Sequence, residues 1–359
     1  MKKKVLSVLL ALVLALSLCL VTAVPVAAAT DVWVATTGND SAPGTELGPF
    51  LTIQKGIDTV EPGGTVNVAM GTYNEKPIID QALTLKGAQF GVDPALGTRT
   101  DSANESIIDV EGGMEGIKIN ASDVTVDGFT MQNSSYFLLQ TDTHNTQDNV
   151  VLTNNIFSQG RVQTYSITNL EFSHNQISGF AVWGCSGIVS NNTMSNVLQG
   201  INPMGCNGLT VQDNTITARE EENTDNGIYV DGCSNITIKG NTITGFTAGE
   251  RSGYSHGTAG AGIQIYSGSD GFTIENNNLT NNSVGVYVFT VDTMDTPTNV
   301  KVHSNNIEGN DDYGVCNFRF PPQLKDPVTG ENLNKWDYDS FSPGNNDVDA
   351  TSNWWGTTD

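Results

Sequence analysis

Apolar and polar positions alternate in short bursts along the chain, and the bursts repeat. The frame apolar-x-apolar-x-x-Asn-x-apolar recurs at residues 150–157 (VVLTNNIF), 170–177 (LEFSHNQI), 209–216 (LTVQDNTI), 236–243 (ITIKGNTI), 272–279 (FTIENNNL), 300–307 (VKVHSNNI) and 348–355 (VDATSNWW), with a weaker copy at 187–194. Residues 66–73, 83–90 and 124–131 fit with a small or aromatic residue in place of the asparagine. The shared position is then Gly71, Ala88, Phe129, Asn155, Asn175, Asn192, Asn214, Asn241, Asn277, Asn305 and Asn353. The wide step from Ala88 to Phe129 predicts one degenerate repeat near residues 107–110.

A second burst, Gly-apolar-x-apolar-x, precedes most of these segments by a short turn: GIKIN at Gly116, GFAVW at Gly179, GIYVD at Gly227, GIQIY at Gly262 and GVYVF at Gly285, with looser copies at Gly200 and Gly314. Period-two alternation over short segments is the signature of strands, and a repeat of about twenty residues with small-residue turns points to a stacked solenoid. A leucine-rich repeat needs a Leu-x-x-Leu-x-Leu frame that is absent, and a propeller needs about twice the period. The pattern predicts an all-β parallel β-solenoid of about eleven coils, a rod of roughly 50 Å. Asparagines that recur at one turn stack into a ladder of side-chain amides, a structural role. Cys185, Cys206 and Cys233 occupy one turn on three successive coils, with Ser269 next, and read as a buried stack of small residues in preference to a vertical disulfide.

Composition narrows what such a rod can bind. The chain carries 39 Asp and Glu against 16 Lys and Arg, a net charge of −23. Lys2, Lys3 and Lys4 lie in a Lys-rich, then apolar, then Ala-rich opening, residues 1–29, that reads as a signal peptide cleaved after Ala29. Without them the 13 remaining basic residues leave −26 on residues 30–359, read as a single domain. A field of that sign repels phosphate backbones and anionic lipid, which argues against nucleic acid and membrane surfaces as partners. No second apolar run of membrane length follows the leader, so the expected location is secreted or at the cell surface, without membrane insertion after cleavage.

With the repeats in place, the flanking segments become identifiable. Thr37-Gly38-Asn39-Asp40, Pro43-Gly44-Thr45, Gly48-Pro49-Phe50, Thr52-Ile53-Gln54-Lys55-Gly56-Ile57, Gly63-Gly64-Thr65-Val66 and Gly71-Thr72-Tyr73-Asn74-Glu75 resemble the opening of secreted right-handed parallel β-helix proteins of the pectate-lyase-like superfamily. The closing segment 348–356 is similar to a final-coil motif of the same group, so the resemblance spans 31–359. It implies a right-handed parallel β-helix with a short N-terminal cap helix at 52–59. Because a solenoid end needs a cap, a C-terminal cap or further module is expected beyond the Trp354-Trp355-Gly356 turn. The superfamily includes lyases, hydrolases, epimerases and non-catalytic surface proteins, so it does not choose a chemistry.

The second burst places Trp183, Tyr229, Tyr266, Tyr287 and Phe289 at positions pointing away from the core, a platform for the apolar faces of sugar rings. Asn202, Asp231 and Gln264 stand beside them as hydrogen-bond partners. The alternative is that inserted loops fold over these aromatics and bury them. Long insertions, 218–226, 247–261, 290–299 and 319–346, flank the same strands. Hydrolysis needs two carboxyls about 5 to 9.5 Å apart, for which Asp231 and Asp225, with Glu250 or Asp270, are the candidates. His256, in a Gly-rich loop with Glu250, Arg251 and Tyr254, is the third catalytic candidate. Lyase bases are scarce: Lys239, Lys301, Arg251 and His256. Asp292, Asp295, Asp311 and Asp312 offer hard oxygen donors for Ca²⁺, though in no named loop spacing. Two readings stand: an exported protein that engages polysaccharide along the aromatic face, as a hydrolase, lyase or binder, and a non-catalytic surface or matrix rod.

Overall fold

The computed structural model describes residues 29–220, 224–247, 260–266, 268–291, 295–311, 313–320, 342–343 and 348–354. Most of the leader, residues 1–28, lies outside them. Each coil visits three long sheets in turn. A twelve-stranded parallel sheet runs from Ala29–Val34 to Val348–Asp349. An eleven-stranded sheet begins at Ile78–Ile79 and continues in parallel to Tyr313–Phe320, which pairs antiparallel with Ser342–Pro343. A ten-stranded parallel sheet runs from Gly71–Tyr73 to Asn306–Glu308. The predicted all-β parallel β-helix is therefore observed.

The first apolar position of the repeat frame and its neighbour two residues on both face inward. Val66, Leu85, Val126, Leu152, Phe172, Val189, Val211, Ile238, Ile274 and Val302 are aligned in register and fully buried. A one-residue slip would turn this row outward, so the hydrophobic pattern itself fixes the register.

From the Val126 strand onward the chain then turns through one left-handed residue, a conformation that Asn and Asp tolerate best among residues with a side chain. Asn154, Asn191, Asp213 and Asn276 all have φ between 53° and 56°. The ladder asparagine follows at once. From Asn155 to Asn353 each side chain is carried inward, and its oxygen accepts the backbone N–H of the ladder residue one coil below. Its amide donates to a carbonyl of that lower coil and, from Asn175 to Asn305, to the next asparagine's oxygen.

The earliest coils differ from the repeat alignment. Gly71 pairs with Ser106, and Ser106 with Phe129, so Ser106 and not Ala88 holds the shared position. Residues 87–105 are an insertion within one coil, and 107–110 complete that coil instead of forming a separate repeat. The Ser106 hydroxyl takes the amide's place, accepting from Ala88 N–H at 2.8 Å and donating to Val68 O at 2.9 Å.

The glycine that opens the second burst marks a close approach between coils. A Cβ on Gly200 would meet the Gly227 carbonyl oxygen at 2.3 Å, and one on Gly285 would meet that of Gly314 at 2.5 Å. Opposite, the cysteine turn is buried and its thiols are free. Cys206 N–H donates to Cys233 Sγ at 3.2 Å and Cys233 N–H to Ser269 Oγ at 3.3 Å, the packed stack that the spacing predicts. Burial pushes the Cys185 thiol up to about 11, which keeps it an unreactive hydrophobe.

The helix Ile53–Thr59 caps the N-terminal end, with Ile53 and Ile57 buried against the first strands. Thr52 Oγ1 accepts from Lys55 N–H, and the Glu75 carboxylate accepts from Ile53 N–H at 2.9 Å and Gln54 N–H at 3.1 Å, covering otherwise orphan donors. Beside it Tyr73 is 3 % exposed and donates to Ala69 O. Burial, then the Glu75 charge, pushes its phenol up to about 12. The unfolded chain loses this proton near pH 10, before the native state does, so stability falls as pH rises from about 10 to 12, by of order 2 kcal/mol. Urea midpoints followed across that range should drop, and Tyr73→Phe should flatten the drop.

Candidate functional site

The outer face of the eleven-stranded sheet carries two side-chain columns that point away from the coil core. Pairing sets Gln140, Gln163, Ala181 and Asn202 in one column, which register extends through Tyr229, Gln264, Tyr287 and Cys316. The other runs through Tyr165, Trp183, Met204 and Asp231, then Tyr266 and Phe289. The seven residues predicted for substrate binding thus share one face.

Their exposure divides the face in two. Trp183, Asn202, Tyr229 and Asp231 are half-buried. Gln264, Tyr266, Tyr287 and Phe289 are at most 6 % exposed. With Ala261, Val284 and Cys316 the three aromatics form a second apolar cluster, separate from the coil core, against which Tyr229 packs. Their rings stack at 5.4 Å between centroids, Tyr266 on Phe289 and Tyr287 on Phe289. Period-two alternation correctly turns these side chains out of the coil, but at this end of the face they are packed and not open to solvent.

Toward the N-terminus the face is open. Tyr165, half-buried, stacks on Trp183 with centroids 6.0 Å apart and planes 25° apart. The sequence reading missed Tyr165 because its strand, Arg161–Tyr165, lacks the opening glycine in frame, and the strand before it, Phe137–Thr141, has a bulge at Leu138 where the glycine would stand. Between the open and packed parts, three polar atoms are buried without a hydrogen-bond partner: Trp183 Nε1, Asn202 Oδ1 and Gln264 Oε1. Buried polar atoms are ordinarily paired, so each such exception calls for an explanation. Burial, then the charge of Asp231, pushes the Tyr229 phenol well above its ordinary value and holds it as a neutral donor.

Asp225 and Asp231, each expected to pair with Glu250 or Asp270, stand at opposite ends of one strand. Asp225 precedes the strand Asn226–Val230 and Asp231 follows it, so six residues of extended chain, about 20 Å, separate them. That exceeds the carboxyl separation of a glycosidase. The register neighbours of Asp231 are Met204 and Tyr266. Asp270 lies beyond the cysteine turn on the twelve-stranded sheet, where the Thr298 hydroxyl and the Asn299 amide hold its carboxyl below the usual range. Lys239 and Lys301 are on that sheet too, away from the aromatic face. His256, Glu250, Arg251, Asp292 and Asp312 lie outside the described residues. Asp295 and Asp311 are exposed, and among the described residues no cluster of three or more His, Cys, Asp or Glu side chains can hold a metal ion. Among the described residues no helix is long and apolar enough to cross a membrane.

No curated protein sequence matches the chain. Among solved structures it is similar to a GH136 lacto-N-biosidase from Eubacterium ramulus, at 11 % identity over 91 % of this chain and 68 % of that one, with a TM-score of 0.46. It is also similar to the A-module of the Azotobacter vinelandii mannuronan C-5 epimerase AlgE4, at 16 % identity over 77 % and 93 %, TM-score 0.39. A third likeness is to pectate lyase Pel9A, at 11 % identity over 77 % and 79 %, TM-score 0.29. Likenesses this distant leave the chemistry to the residues themselves. The model of the family described as "Right handed beta helix region" matches residues 115–307, more than half of the chain and most of its asparagine ladder. The stacked coils and this match agree, and the chain belongs to the right-handed β-helix family.

Proposed function

We propose that this is an exported carbohydrate-binding protein that engages a polysaccharide along the outer face of the eleven-stranded sheet. The observation that carries the reading is the half-buried Tyr165–Trp183 stack beside unpaired buried polar atoms of Trp183, Asn202 and Gln264. Aromatic faces flanked by a few convergent polar groups suit sugar rings, which are apolar on their faces and hydroxylated at their edges. Asp270, one of the two carboxyls expected to partner Asp225 or Asp231, lies on the twelve-stranded sheet away from this face, which favours binding over cleavage. The packed cluster of Tyr266, Tyr287 and Phe289 supports a structural share as well, stiffening the C-terminal coils behind the open face.

The test is incubation with neutral and acidic polysaccharides, with and without Ca²⁺, following gel retardation, new reducing ends and unsaturated product. We expect retardation that Trp183→Ala or Tyr165→Ala weakens by at least about 30-fold, the usual weight of an aromatic anchor, with far-ultraviolet circular dichroism unchanged. Retardation of no glycan contradicts the reading. Reducing ends lost in Asp231→Asn would make the protein a hydrolase, and unsaturated ends a lyase.

A further inference from the structure

The unpaired atoms also specify what kind of glycan fits. Asn202 Oδ1 is an acceptor awaiting a donor, and the indole N–H of Trp183 is a donor awaiting an acceptor. Asn202 is half-buried but its Oδ1 is fully buried, so that oxygen is desolvated before any ligand arrives. A buried acceptor left unmet costs about 1–3 kcal/mol, which a bound donor recovers. A sugar hydroxyl serves both needs, donating to an amide oxygen and accepting from the indole. A uronate carboxylate only accepts, so it can take the indole N–H but offers no proton to an amide oxygen.

The charges nearby point the same way. Residues in register with or adjacent to Trp183 and Asn202 are Tyr165, Ala181, Met204, Tyr229 and Asp231, which include one carboxylate and no cation. Recognition of carboxylates ordinarily uses Arg or Lys, Arg above all in bidentate contact. Among the described residues, the basic residues on this sheet stand apart from the site. Arg161 opens the Tyr165 strand, four residues or about 13 Å upstream, Lys118 is in the Asn202 column four coils below, about 19 Å away, and Arg319 is on a strand four coils above Asn202, a similar distance.

We infer that this face selects a neutral, hydroxyl-rich glycan and rejects polyuronates. The inference rests on the reading of the same face as the polysaccharide site.

The experiment compares one glycan chain in two charge states. Anisotropy titrations would use fluorophore-labelled polygalacturonate and its carboxyl-reduced counterpart, with mannan, xylan and alginate. They would be run in about 0.05 M and about 1 M NaCl, since at the higher salt the screening length falls to about 3 Å and the protein's overall field no longer contributes. We expect every bound glycan to be neutral, with the carboxyl-reduced chain or another neutral glycan held at least about tenfold tighter than either polyuronate at both salts. Trp183→Phe, which keeps the ring and loses the N–H, should weaken that binding about fivefold. Polyuronate bound as tightly as the neutral chains at high salt, and lost in Trp183→Ala, would overturn the inference while leaving the polysaccharide site standing. No glycan bound at all would overturn both.

Discussion

Replacing Asn241 by Ala should cost the protein about 3–5 kcal/mol. Asn241 is fully buried at the middle of the ladder. Its oxygen accepts from Asn214 N–H at 3.0 Å and from the Asn214 amide at 2.9 Å, and its own amide donates to Val211 O, Lys239 O and Asn277 Oδ1. Alanine leaves at least the Asn214 N–H and the Val211 carbonyl buried and unpaired, each worth about 1–3 kcal/mol. Thr215→Ala, on the outer surface one coil away, should change stability by less than about 1 kcal/mol. Urea denaturation checks both. Because stacked coils open locally, faster hydrogen exchange at Asn214 and Thr242 should accompany the loss. An Asn241→Ala midpoint equal to that of Thr215→Ala would mean that the ladder is ornament.

Arg99→Ala should cost a similar amount for a different reason. The insertion 87–105 is clamped to the rod by Arg99, whose side chain is fully buried, in a bidentate pair with Glu105, itself 4 % exposed. Arg99 also donates to the Asn154 carbonyl, and the Thr130 hydroxyl donates to Glu105 Oε2 at 2.9 Å, so the clamp reaches two further coils. Removing the guanidinium strands a carboxylate in the interior, at about 3–5 kcal/mol. The double variant Arg99→Met with Glu105→Leu should recover most of that loss, because no buried charge remains unpaired. A single variant as stable as the double in urea would show that the insertion is held by other contacts.

The asparagine ladder and the cysteine stack were legible because each repeats a residue type that only one environment rewards, an inward amide and a small buried turn. The cap helix was legible only through the family resemblance of the opening segments. Legibility fails where a different residue does the same job. Ser106 supplies its hydroxyl to Ala88 N–H and Val68 O, as a ladder asparagine would, and the text of residues 83–90 imitates a whole repeat across the start of an insertion. Likewise the bulge at Leu138 replaces the glycine that flags the second strand, which hid Tyr165. For the site, alternation told which side chains leave the coil but not what packs on them afterwards. Tyr229 and Tyr266 occupy neighbouring coils of one face, yet the first is half-buried and the second 6 % exposed. The unpaired atoms of Trp183, Asn202 and Gln264 depend on three-dimensional surroundings that no local pattern encodes.

The most direct test of the account is a crystal structure of the protein with a neutral oligosaccharide that it retards. The account predicts sugar rings on Tyr165 and Trp183, with hydroxyls within hydrogen-bond distance of Trp183 Nε1 and Asn202 Oδ1. An oligosaccharide seated on the twelve- or ten-stranded sheet, with this face bare, would contradict it.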